Sequence, residues 1–507
     1  MPKRRAVVTI GTLGLERASS VPLYRQLYDG LREAILSGRF RPGARLPSTR
    51  VLAGDLGTSR NTVLTAFGQL LDEGYLEGRV GAGTTVAGTL PETLLRARPE
   101  TAGTERPGRR PRLSRRGALL LGTRASLAGG PITAHPFRPG LPGLDAFPFD
   151  LWARLIARRW RRVSRQLLDY GDPAGYAPLR EAIAVYLGEA RAVRCEASQV
   201  IVVTGAQQAV DLAARVLLDS GDTAWIEDPG YQGARGALVA AGIRLAPIPV
   251  DAEGLDVRRG ARDAPGARLV YVTPSHQYPL GVTMSLNRRL ALLEWASASG
   301  AWILEDDYDS EYRYAGRPLA ALQGLDTAGR VIYAGTFSKV LFPALRLGYL
   351  VVPPELVDAF VAARALADRH SPSVTQAALA DFIDGGHFAR HVRRTRALYA
   401  ERQAALVRAA RRTLGELLEV APAEAGMHLM GWLPVGVDDR AAARAALAHD
   451  VDAPPLSAYR ARPARRGERG GLMLGYAAYA PREIDDACAR LAAALRTRPS
   501  RRSDTPS

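Results

Sequence analysis

The chain has 507 residues, 47% hydrophobic and 23% charged, with a formal net charge of +17. That length holds two or more domains and a large core, and the composition is that of a globular protein, not a disordered or fibrous one. Its two cysteines, Cys195 and Cys488, lie far apart without CxxC spacing, which excludes a disulfide framework, leaves no expectation of a metal site and fits a reducing, cytoplasmic location. No apolar run reaches the length of a membrane span, so no membrane partner is expected. Met1 to Leu15 has a basic tip but no long apolar core, and it runs into Glu16 and Arg17, unlike a signal peptide.

The positive charge is unevenly placed. Residues 1–85 carry 12 basic and 7 acidic side chains, residues 86–135 carry 9 and 3, and residues 496–507 carry 4 and 1. The remaining body, 136–495, carries 43 and 40 and is close to neutral. A polyanionic partner would meet the N-terminal region rather than the body.

Apolar residues at helical spacing (Leu23, Leu27, Leu31, Ile35, Leu36) predict a helix over 22–36, stopped by Gly38 and Pro42-Gly43. A second helix follows Ser48 or Thr49 as N-cap, with Val51, Leu52 and Leu56. After a turn at Gly57 a third begins at Thr58 or Ser59, with Val63, Leu64, Phe67, Leu70 and Leu71 inward. Tyr75–Leu76 and Thr84–Val86 then read as two short strands around a glycine-rich tip. That order is a winged helix-turn-helix, expected over 20–88 and built to place its third helix in the major groove of double-stranded DNA. The start of that helix presents Ser59, Arg60, Asn61 and Thr62, with Arg50 on the preceding helix and Arg79 beside the wing. All six are candidates for base or phosphate contacts. Residues 89–135 mix Pro, Gly, Thr and Arg and read as a flexible basic linker; residues 496–507 read as a disordered tail.

The body, 136–495, opens with an amphipathic helix over 152–168. Apolar runs of strand length then alternate with helices: 200–203, 223–227, 269–273, 302–306 and 331–334. This predicts a mostly parallel α/β sheet whose ligands bind at the strand C-termini, where each run ends in polar or glycine residues.

Among 68 Lys plus Arg residues only Lys3 and Lys339 are lysine. Arginine serves for salt bridges and phosphate contacts, but its guanidinium is no nucleophilic amine. A lone interior lysine points to amine chemistry, with a Schiff base to pyridoxal phosphate (PLP) as the leading candidate. Such a cofactor needs a carboxylate at its pyridine nitrogen, a donor to its ring oxygen and a phosphate cup. Asp306 and Tyr308 share one face of their strand. Ala206 and Gln207 begin a helix after Gly205, and Thr336 and Arg346 flank the lysine. Tyr231 is placed to stack on the ring.

The stretches TGAQQAVDLAARVL, EDPGYQGAR, VTPSHQYPLGVTM, LEDDYDSEYRY and YAGTFSKVLFPALRLGY resemble those of a fold type I aminotransferase domain. Joined to a GntR-like winged helix, nearly the whole chain resembles the MocR/GabR family of bacterial transcriptional regulators. The resemblance implies an α/β major domain with a small C-terminal α+β subdomain, and PLP on Lys339. It also implies a head-to-tail homodimer in which Tyr170 reaches the phosphate of the partner's cofactor. Two positions depart from the enzymes' pattern. Met473 stands where a carboxylate-binding arginine is usual, with Arg469 a candidate substitute. His276 or Gln277 stands for the asparagine that contacts the ring oxygen. The loss of the clamp disfavours a working α-amino-acid aminotransferase, although slow half-reactions stay open. The expected function is a PLP-dependent, DNA-binding regulator that senses PLP, an amine or an amino acid through an aldimine at Lys339. The rival expectations are an active aminotransferase with an accessory DNA-binding domain and a regulator that kept only the fold.

Overall fold

The structure, a computed structural model, describes residues 14–79, 83–90, 113–127, 135–315, 320–465 and 467–497. It divides into two compact units, Met1–Arg112 and Leu113–Ser507.

The first unit is built from α1 (Leu23–Leu36), α2 (Thr49–Asp55), α3 (Arg60–Asp72) and an antiparallel pair, β1 (Leu76–Arg79) and β2 (Gly83–Val86). Serine is the cap in both places where the sequence left a choice. Ser48 accepts from the Val51 N–H at 3.3 Å and Ser59 from the Thr62 N–H at 3.1 Å, satisfying donors the helix cannot. Leu27, Leu31, Ile35, Leu52, Val63, Phe67 and Leu70 form the core. Leu36, Val51, Leu64 and Leu71, grouped with these by the sequence pattern, are exposed. In α3 the stripe is Val63, Phe67 and Leu70; Leu64 and Leu71 each lie one residue, about 100° of helix, away from it.

In the second unit, helix α4 (Arg115–Leu127) packs against α8 (Gln232–Ala240). This corrects the reading of 89–135 as linker throughout. Leu120, 47% exposed, lines a hollow with Ala214, Leu218 and Ala240. Residues 91–112 and 128–134 of that segment, and 498–507 of the tail, lie outside the described residues. The helix expected over 152–168 is α5 (Phe149–Arg161) followed by a separate turn at Arg165–Leu168, which Ser164 caps.

The central sheet has eight strands in the order β3-β10-β9-β8-β7-β4-β5-β6. They are β3 (Val200–Val203), β4 (Thr223–Asp228), β5 (Arg244–Asp251), β6 (Gly254–Leu255), β7 (Leu269–Val272), β8 (Trp302–Asp307), β9 (Val331–Thr336) and β10 (Gly348–Val351). Strands β5, β4, β7, β8 and β9 are parallel, while β10 is antiparallel to both neighbours. All five expected strands are present. β5 is not among the expected strands; Pro247 and Pro249 interrupt its apolar pattern. It tolerates them near the sheet edge, where its outer neighbour is the two-residue β6.

Helices α6 (Ala177–Arg191), α7 (Ala206–Leu217), α8, α9 (Leu286–Ser299) and α10 (Val357–Asp368) accompany the sheet. After α11 (Ser373–Asp384), the long α12 (His387–Thr413) leads into a small α+β part. It holds the antiparallel strands β11 (Glu419–Val420), β12 (His428–Trp432) and β13 (Gly471–Gly475), with α13 (Asp439–Leu447) and α14 (Pro481–Arg496). The C-terminal ends of β4, β7, β8 and β9 and the start of α7 face one cavity.

Candidate functional site

Lys339 follows β9 and its Nζ lies 2.9 Å from the Gly140 carbonyl oxygen, to which it donates. It lines a cavity of about 250 Å³ together with Gly205, Ala206, Gln207, Tyr231, Asp306, Tyr308, Thr336 and Arg346. These eight residues predicted from the sequence are therefore in one place, whereas Tyr170, His276 and Gln277 do not line the cavity. Burial pushes the Lys339 amine below the usual lysine range, against the pull of Asp309 and Asp306. The shift favours the neutral, nucleophilic amine.

Strand alternation sorts the three carboxylates of β8. Glu305 accepts from the backbone N–H groups of Leu322 and Gln323 at 2.8 and 2.9 Å. Asp307, on the same face, accepts from Arg191 at 2.8 Å and the Tyr333 hydroxyl at 2.6 Å. Asp306 points the other way, into the cavity. The Tyr271 hydroxyl donates to its Oδ2 at 2.6 Å, and its buried Oδ1 has no partner among the described residues. Burial raises the Asp306 pKa to about 6, Tyr271 opposing and Asp307 adding to the rise.

At one end of the cavity α7 opens with Ala206 and Gln207 after Gly205, whose φ of +136° suits glycine. First-turn N–H groups have no helical acceptor and form an anion cradle. Thr336, Ser338 and Arg346 line the same cavity. Phenols and His428 make up much of the remaining wall: Tyr231, Tyr271, Tyr278 and Tyr308 all line it. The Pro279 carbonyl accepts from His428 Nε2 at 3.0 Å, which places the ring proton there. Burial, then His276, holds the His428 pKa at about 3, so the ring is neutral at physiological pH.

Several expected residues fall elsewhere. Gln277 does not line the cavity: its amide is spent on Glu227, the Pro229 carbonyl and the Tyr278 carbonyl, at 3.2, 2.9 and 2.8 Å. His276 sits behind Tyr308, and the next residue but one, Tyr278, lines the cavity instead. Arg469 does not replace the missing arginine. It binds Glu419 and the carbonyls of Leu433 and Trp432 at 2.6, 2.9 and 3.1 Å. Met473 is buried in an apolar cluster with Met430, Leu456 and Tyr459. Tyr170 is 77% exposed, with the Arg369 guanidinium 4.6 Å above its ring. On the first unit, Arg50, Ser59, Arg60 and Asn61 are exposed and Thr62 is half-buried. The side chain of Arg79 and the wing tip, 80–82, lie outside the described residues.

Residues 23–86 match the family described as bacterial regulatory proteins, gntR family, and residues 144–491 match aminotransferase class I and II. The chain is 45% identical over 474 residues to the probable rhizopine catabolism regulatory protein MocR of Rhizobium meliloti, covering 93% of each. The chain belongs to the MocR/GabR family of transcriptional regulators. A second member, the HTH-type transcriptional regulator TauR of Rhodobacter capsulatus, is 36% identical over 494 residues, covering 94% of this chain and 96% of that one. The body of this MocR-type regulator also resembles LysN, an α-aminoadipate aminotransferase from Thermus thermophilus, with a TM-score of 0.68 and 30% identity. That match covers 76% of this chain and 97% of the enzyme. The gntR match spans α1 to β2, so the family's DNA-binding domain is the first unit, and the aminotransferase-like match holds the cavity around Lys339. Among the described residues no helix is long and apolar enough to cross a membrane.

Proposed function

We infer that this MocR-type regulator holds pyridoxal phosphate in the cavity, linked to Lys339, and conveys the binding of an amine, an amino acid or PLP itself to its winged helix. The observation that carries this reading is the lone buried oxygen of Asp306. A buried acceptor without a donor is costly, and a pyridinium N–H supplies the missing donor. A positive ring nitrogen also removes the cost of keeping Asp306 ionised, because an opposite charge lowers a carboxylate pKa that burial has raised.

The other lining residues fit the remainder of the group. Ala206 and Gln207 offer N–H donors at the start of α7, and Thr336 and Arg346 a hydroxyl and a guanidinium, to a phosphate. Tyr308 offers a donor to the ring oxygen and Tyr231 a stacking face. When bound, the cofactor supplies an electrophilic carbon and an electron-withdrawing ring. Lys339 would contribute the amine that anchors it. In a homodimer, the exposed Tyr170 serves the phosphate site of the partner subunit. Two winged helices then read two half-sites, with Arg60, Asn61 and Ser59 at the start of α3, and Arg50, Thr62 and Arg79 beside them, as the contacting residues.

Lys339→Ala tests the reading. The variant is expected to keep its fold by circular dichroism and to lose the visible absorbance of the bound cofactor. Unchanged colour would show that another group holds the cofactor.

A further inference from the structure

Behind Tyr308 stands a buried pair that the cavity does not use directly. His276 Nδ1 lies 3.0 Å from Asp309 Oδ2 and 2.9 Å from the Tyr308 hydroxyl, and the side chains of His276 and Asp309 are each 1% exposed. We propose that His276 and Asp309 are positioning residues that fix the direction of the Tyr308 hydroxyl hydrogen, and so set the hydrogen bond offered to the ring oxygen of the cofactor. The proposal rests on the cofactor reading above.

A carboxylate oxygen only accepts, so the His276 nitrogen facing Asp309 carries its proton. That nitrogen then has no lone pair for Tyr308. The phenol oxygen can accept from this N–H but cannot donate to it. Tyr308 has no other hydrogen-bond partner among the described residues, and it lines the cavity. Its hydrogen is therefore free to point inward. With the proton on Nδ1, the His276 Nε2 is a bare acceptor. It is buried and has no partner among the described residues, a smaller penalty than a stranded N–H.

The imidazole is locked in this orientation by its surroundings. A Cβ on Gly426 would come within 2.1 Å of its Cε1, and one on Gly281 within 3.1 Å of Nε2. Both glycines have positive φ, +101° and +75°. The hydroxyl of Tyr476 ties the Gly426 carbonyl at 2.7 Å, and that of Tyr314 at 2.5 Å. A half-turn of the ring would put Cδ2 where Nδ1 now stands and lose both hydrogen bonds, so Nδ1 stays towards Asp309 and Tyr308. The ionisable groups around the pair and Tyr308 are Asp309, Asp306, Glu227, Tyr278, Lys339 and His428. Of these, Asp309 is the one hydrogen-bonded to His276.

The test is a pH titration of visible absorbance on the full-length protein loaded with pyridoxal phosphate. Tyr308→Phe removes the donor that favours an anionic ring oxygen, so the midpoint is expected to rise by roughly one pH unit, a tenfold change in proton affinity. In Asp309→Asn the amide no longer dictates the tautomer, Tyr308 can donate to His276, and the midpoint is expected to rise in the same direction. The double variant is expected to match Tyr308→Phe alone, because both changes act through one hydrogen. His276→Asn, expected to move the midpoint likewise, covers the case of a poorly folded Asp309→Asn. Wild-type midpoints in Asp309→Asn and His276→Asn beside a shifted Tyr308→Phe would overturn the proposal. So would additive shifts in the double variant, or a Tyr308→Phe midpoint equal to wild type. A wild-type protein that takes up no cofactor colour would instead sink the reading of the cavity, and the role of the pair with it.

Discussion

At the scale of single residues, Asp306 on the proposed reading carries a conflict between stability and function. Its pKa is raised from 3.8 to about 6 by burial, so the folded chain without cofactor binds more protons than the unfolded chain between those values. Stability therefore falls as pH rises through that window. At neutral pH the cost is on the order of 2–3 kcal/mol. Asp306→Asn keeps an acceptor for Tyr271 and removes the charge. Thermal unfolding of the cofactor-free variant should show a higher midpoint than wild type at pH 7, with the difference fading by about pH 4. Affinity for pyridoxal phosphate should drop at least tenfold, since the partner of the pyridinium is gone.

The sequence made much of this site legible at the residue scale. The rarity of lysine singled out Lys339, and alternation along β8 paired Asp306 with Tyr308. Tyr271 was missed because, within the run Leu269–Val272, it reads only as another apolar strand residue. His428 was missed because its place depends on β12 returning, about 150 residues later, to the Pro279 carbonyl. Nothing in local spacing encodes that meeting. The swap of Gln277 for Tyr278 follows from the loop's own hydrogen bonds, Gln277 N–H to Val282 O at 2.8 Å and Gly281 N–H to Gln277 O at 2.7 Å. Those bonds turn the glutamine amide inward.

Elements position these residues, and they fail in specific ways. Helix α8 starts beside the cavity, where a Cβ on Gly233 would come within 2.4 Å of the Tyr231 ring and 2.5 Å of Gln207 Oε1. Gly233→Ala should therefore push two cavity residues without touching the cavity itself. Equilibrium titration should show cofactor affinity lowered about tenfold with little change in thermal midpoint. In the first unit, α3 depends on the Ser59 cap. Ser59→Ala should cost about 1 kcal/mol of stability to chemical denaturation. Arg60→Ala should reduce promoter affinity about tenfold or more and leave cofactor absorbance unchanged. If Arg60 meets a phosphate, the salt dependence of binding should flatten by about one ion; if it meets a base, discrimination between promoter sequences should relax instead. Capping serines, strand alternation and helical spacing made these elements readable in advance. The width of each apolar face was not, since Leu64 and Leu71 differ from Val63 and Leu70 by one position and by nothing in chemistry.

At the scale of the whole molecule, the chain joins a basic N-terminal part to a nearly neutral body with one amine-bearing cavity. The excess positive charge over residues 1–135 favours a polyanion such as DNA, and on the proposed reading α3 chooses the site. An effector can switch such a chain only by binding more tightly in one state of the winged helices than in another. On the proposed reading the cavity is where that difference would arise, with Lys339 as the group that carries it. Affinity for promoter DNA, measured by fluorescence anisotropy with and without pyridoxal phosphate and amine, is the direct test. The wild-type protein should change its affinity by at least about fivefold on loading, while Lys339→Ala should bind DNA as the cofactor-free wild type does and ignore both additions. A Lys339→Ala variant that responds as the wild type responds would contradict the account.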